Sequence, residues 1–259
     1  MSAFYTMNVV IQPKRIAQIL ALGAFSLALL SIVGQAVRYF LGKENFFGLV
    51  GLFNVNYESN IPTLYSAFIL FLCSILLFLV ALAKQKSRDS FTNHWRALSV
   101  IFLYLSFDEL IEIHESVNRN LDKGLQLWES GPWDILNSVI LPIFVLAYIK
   151  FFRRLPLKTQ RLFFLSGSLF TLGAIGIELV GGRYFSNIYN QPIFIAEIIA
   201  TIEELLEMIG ATIFVYAILS YMSSFLDRIN IGIGNSPSPV AKELAGKCGG
   251  ESSTAEHID

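Results

Sequence analysis

Six long apolar runs divide the chain, at 16–39, 62–83, 95–118, 133–152, 161–180 and from 192 or 195 to 225. Each is close to the roughly 20 residues a helix needs to cross about 30 Å of hydrocarbon. In lipid the backbone must satisfy its own N–H and C=O groups, which only helices and closed barrels achieve. Continuous apolar runs select the helix. The expected fold is therefore all-α: a polytopic membrane protein with six transmembrane helices over 14–226. A cytoplasmic leader at 1–13 and a disordered cytoplasmic tail at 227–259, rich in Gly, Ser, Pro and charge, flank it. Composition agrees, with 54% hydrophobic and only 15% charged residues, where a soluble domain carries about a quarter charged. The first run is not read as a signal peptide. Its apolar part exceeds the ~7–15 residues of such a segment, and no small-residue cleavage site follows.

The connections carry charge unequally. Lys14 and Arg15, then Lys84, Lys86, Arg88 and Arg96, then Lys150, Arg153, Arg154, Lys158 and Arg161, then Arg228 fall on one side if six helices alternate. The other side holds Arg38, Lys43, Arg119, Lys123 and Arg183. The positive-inside rule then places both termini in the cytoplasm of a cell whose inner (plasma) membrane the chain crosses. These basic residues are topology signals; no basic face for nucleic acid is present. Cys73 and Cys248 lie in an apolar run and in the polar tail, so no disulfide framework or Cys-rich zinc site is implied. Between the first two runs, 46–53 is apolar but too short to span, and is expected at the interface or dipping back into the membrane. Asn54, Asn56, Glu58 and Asn60 come after it, and Pro62 suits the first turn of the next helix.

Carboxylates interrupt this apolar pattern where they cost most. Asp108-Glu109-Leu110-Ile111-Glu112-Ile113 lies in the third run, with His114 and Glu115 after it. Glu203-Glu204-Leu205-Leu206-Glu207-Met208 lies in the last, and the two strings share one pattern. Ionisable groups in hydrocarbon face a bundle interior and mark ion or substrate sites. At about 100° per residue, Asp108, Glu112 and Glu115 share one helix face, and so do Glu203, Glu207 and Gly210. The fifth run adds Glu178 among Gly173, Gly176, Gly181 and Gly182, small residues that let helices approach closely. With the expected topology, all three helices deliver their acids to the outer half of the membrane. Glu197, nearer the outer surface, is read as an interfacial residue as readily as a ligand. No Lys or Arg lies in the apolar part of these three helices, so protons, a cation or water must compensate the charge.

The candidate ligands are Asp108, Glu109, Glu112, His114, Glu115, Glu178, Glu203, Glu204 and Glu207. A set of oxygens with one imidazole suits a hard divalent cation, Mn²⁺, Ca²⁺ or Mg²⁺, with Fe²⁺ also compatible. A di-iron bundle wants a Glu-x-x-His pair from each of two helices, and Ile111 stands where the first such Glu would be. The two acidic strings also raise a 3+3 inverted repeat, a transporter architecture with its site at the repeat interface. Three function classes are compatible with these features. The first, which the sequence favours, is a cation or proton-coupled carrier. The second is an intramembrane metalloenzyme acting on a lipid-like substrate. The third is a non-catalytic membrane subunit or sensor. The partners common to all three are the lipid bilayer and a cation or proton; oligomeric state is left open.

Overall fold

The computed structural model describes residues 7–8, 12–42, 48–55, 57, 59–113, 132–177, 193–225 and 230–231. The chain forms two units. The smaller joins 1–11 with 226–259, where strands β1 (Met7–Asn8) and β2 (Asn230–Ile231) pair antiparallel. Two residues of the tail expected to be disordered are thus paired with the leader.

The larger unit, 12–225, is all-helical, with seven α-helices among the described residues. They are α1 (Pro13–Leu41), α2 (Leu49–Phe53), α3 (Ile61–Lys86), α4 (Thr92–Ile111), α5 (Pro132–Arg154), α6 (Leu157–Thr171) and α7 (Ile193–Met222). A π-helical stretch, Leu172–Ile177, continues α6. Among the described residues, three helices are long and apolar enough to cross a membrane: α1, α3 and α7 from Phe194. The other three expected spans coincide in position with α4, α5 and α6. Exposed Leu22, Phe25, Leu29, Leu64, Phe68 and Phe78 give α1 and α3 an apolar outer surface of the kind lipid covers.

The elements start and stop where local chemistry directs. Pro13 opens α1, where its missing N–H is not needed, and Gly42 closes it with φ 64°, a conformation that costs glycine little. Asn60 works in two directions. Its Oδ1 accepts from the Thr63 N–H and caps α3. Its Nδ2 donates to the Asn54 and Tyr57 carbonyls at 2.6 and 2.8 Å, holding the end of α2 against the start of α3. The short α2 does not lie loose at a surface: Val50, Asn54 and Val55 are buried.

Small polar residues and aromatics bind the helices. Ser74 and Ser99 each donate to the other's carbonyl, at 2.8 and 2.9 Å, clasping α3 to α4. Ser106 of α4 donates to the Ala67 carbonyl of α3 at 2.8 Å. At one end of the bundle, fully buried Trp95 of α4 meets Phe151 of α5, Phe163 of α6 and Tyr221 of α7. Basic residues gather at the same end. Lys84 sits over the Tyr221 and Phe225 rings, Arg154 over Phe91, and Lys158 over Tyr216.

Candidate cation site

The acidic string of α7 lies in mid-helix, against the backbone of its neighbour. A Cβ on Gly173 would lie 2.8 Å from the Glu203 carbonyl oxygen and 2.8 Å from the Glu207 Cγ. A Cβ on Gly210 would lie 2.8 Å from the Phe170 nitrogen. The expected face of Glu203, Glu207 and Gly210 is therefore the face packed on α6 and its π turn, and the glycines make that approach feasible. Ser166 fixes it with a 2.8 Å hydrogen bond to the Gly210 carbonyl. Single π turns inside helices recur at functional sites. This one sits beside Glu203 and Glu207, which are half-buried together with Glu204.

The acidic string of α4 behaves differently. The helix, expected to reach 118, ends at Ile111, with Glu112 in the left-handed region at φ 58° and its N–H bonded to the Asp108 carbonyl at 2.8 Å. The common face of Asp108, Glu112 and Glu115 is therefore broken at Glu112. Asp108 is buried and hydrogen-bonded to Tyr104, one turn earlier. Glu112 turns to the α2–α3 connection, where Ser59 donates to it at 3.4 Å. His114, Glu115 and Glu178 lie outside the described residues.

The aromatic contacts set the level of the two strings. Trp95 stacks on Tyr221 at 5.3 Å and Phe102 on Phe214 at 4.7 Å, both in one antiparallel register of α4 on α7. Continued about two turns along each helix, that register brings Glu109 level with Glu207. Sharing a level is not yet sharing a ligand. Among the described residues, no three His, Cys, Asp or Glu side chains are grouped so as to hold a metal ion.

A second polar group, which sequence reasoning undervalued, joins α1, α2 and α7. Gln35 Nε2 lies 2.9 Å from Ser31 Oγ, 3.1 Å from Asn54 Oδ1 and 3.3 Å from Thr201 Oγ1. Asn54 Nδ2 donates to Glu197 Oε2 at 3.3 Å, and Arg38 approaches Glu197 Oε1 at 3.8 Å. Arg38 also donates to the Tyr57 hydroxyl at 2.7 Å. Ser31, Gln35, Asn54, Glu197 and Thr201 are all buried. Glu197 is thus buried in the protein rather than open to solvent, and α1 supplies it with a cationic neighbour, Arg38. The signal was present in the spacing. Ser31 and Gln35 stand one turn apart in an apolar run, as do Glu197 and Thr201.

These helices are matched together by one sequence family, over residues 18–222. The chain belongs to the family described as Domain of unknown function (DUF8692). The matched stretch of this DUF8692 member begins in α1 and ends with α7, so it takes in both polar groups. No curated protein and no solved structure matches the chain. The chemistry open to the domain comes from its donors. Carboxylates between helices exchange protons or hold cations, and amide and hydroxyl oxygens dehydrate small ions.

Proposed function

We propose that this chain is a multi-pass protein of the inner (plasma) membrane that moves a cation, or is driven by protons, through the layer formed by the acids of α4 and α7. In this reading all six long helices cross the bilayer and both termini are cytoplasmic. Pairing of the leader with the tail supports an even number of crossings. The meeting of basic residues from two connections at one end supports that end as the cytoplasmic one.

The observation that carries the proposal is the packing of Glu203 and Glu207 on the π turn at Gly173; the register of Phe102 on Phe214, continued two turns, would set Glu109 at the same level. Acids between tightly packed membrane helices are costly unless they handle protons or cations. A short helix whose C-terminal end is buried, as Asn54 and Val55 are at the end of α2, is also a transporter device, since irregular backbone at membrane depth lines a cavity or a protein interior. A divalent ion, Mn²⁺, Ca²⁺, Mg²⁺ or Fe²⁺, would draw on Asp108, Glu109, Glu203, Glu204 and Glu207. It would be completed by His114, Glu115 or Glu178.

The test is flux. Purified protein in liposomes is loaded with a pH-sensitive dye or a divalent-sensitive dye, and an outward or inward gradient is applied. Flux is expected for one of the two, falling at least tenfold in Glu207→Gln. Flat signals for protons and for all four divalent ions would overturn the carrier reading.

A further inference from the structure

Among the described residues, one acceptor in the group at α1, α7 and the end of α2 is orphaned. The two protons of one amide, Gln35 Nε2, face three oxygens: Ser31 Oγ, Asn54 Oδ1 and Thr201 Oγ1. The Ser31 hydroxyl oxygen already accepts from the Val55 N–H at 3.2 Å, and the Thr201 proton goes to the Glu197 carbonyl at 2.8 Å. The Gln35 Oε1 atom is itself buried with no hydrogen-bond partner among the described residues, on a side chain only 3% exposed. A buried acceptor left without a donor is costly, and native proteins rarely leave one without a reason. The orphaned atom is an oxygen, and a carboxylate, Glu197, stands at the edge of the same group.

We infer that this group is a binding site for a dehydrated monovalent cation of sodium size, with Gln35 Oε1 as its first ligand. The Thr201 hydroxyl oxygen and the Glu197 carboxylate complete the candidate set. Oxygen ligands select hard cations. The charge selects a monovalent one: a single carboxylate, shared with Arg38, does not match a divalent ion, whose sites draw on several carboxylates. Arg38 is 37% exposed at its side chain and held by Tyr57 at the rim, so the path from solvent to Glu197 passes beside it. The site is separate from the acidic layer of α4 and α7, and the inference stands or falls without it.

The experiment is thermal unfolding of the detergent-purified full chain in rising NaCl, with choline chloride holding ionic strength constant, at two pH values. Sodium is expected to raise the midpoint saturably while choline does not. Thr201→Val keeps side-chain volume and should weaken the sodium response at least fivefold in apparent affinity. Gln35→Leu should abolish it. If Gln35→Leu does not fold, Thr201→Val carries the test. Equal midpoints in sodium and choline overturn the site, as does stabilisation that tracks pH alone, or a sodium response unchanged in Thr201→Val. Glu207→Gln is expected to keep the sodium response, so loss of flux and loss of this site are distinguishable.

Discussion

The strings Asp108–Ile113 and Glu203–Met208 share one residue pattern and have opposite fates. In α7 the string lies well inside a helix that runs from Ile193 to Met222. In α4 it ends the helix at Ile111. The difference lies in the residues on the C-terminal side of each string and in which helix end is near. After Met208 the chain continues Ile209, Gly210, Ala211, Thr212, Ile213, apolar enough to stay in lipid, where helix is the only solution. After Ile113 come His114, Glu115, Ser116, Asn118 and Arg119, a sequence too polar for lipid to impose a helix. The macrodipole adds to this. Carboxylates in the last turn of a helix face its partial negative charge, and the effect fades beyond a turn. Asp108 and Glu109 feel it at the end of α4, whereas Glu203 and Glu207 are far from the end of α7. An acidic string thus stays helical only where its surroundings leave no alternative.

The comparison breaks most readily at the glycines beside the α7 string, Gly210 in α7 and Gly173 facing it. Gly210→Val pushes a side chain into the Phe170 backbone and is expected to cost about 3 kcal/mol, the upper end for overpacking. Loss of a cooperative melt, or a midpoint many degrees lower, would show it. Next comes Glu207→Gln beside Glu112→Gln. If the α7 string is the working one, liposome flux falls at least tenfold in the first and less than threefold in the second. Equal losses would make the strings equivalent despite their folds. Asn60→Ala, which releases the end of α2 and uncaps α3, is expected to cost about 1–2 kcal/mol by chemical denaturation. The smallest effect sharpens the contrast. Glu112→Gly relieves a left-handed non-glycine residue and should stabilise the protein by about 1 kcal/mol. A decrease would mean that the side-chain contacts of Glu112, the Ser59 hydrogen bond among them, outweigh the backbone strain.

Much of the helical order was legible, because apolar length decides it. The packing of Gly173 and Gly210 on the acidic face was legible too, since small residues at helical spacing have few other uses in a membrane helix. The early end of α4 was not, because the third apolar run fades gradually and no glycine or proline marks its end. The π turn at Leu172–Ile177 has no local signature beyond Gly173 and Gly176. The pairing of Arg38 with Glu197 escaped because each was placed by its own helix end. Only the burial of α2 between them turns two rim residues into part of an interior network.

The shared level of the two strings can be measured by thiol cross-linking in membranes. Cys73 and Cys248 are replaced, and Glu109→Cys is combined with either Glu207→Cys or Ser220→Cys. A short bifunctional thiol reagent is then added. If α4 and α7 keep the register of Trp95 on Tyr221 and Phe102 on Phe214, the 109/207 pair links efficiently. The 109/220 pair, displaced by roughly 20 Å along the helix, does not. Efficient linking of 109 to 220, or of neither, would contradict a common acidic layer.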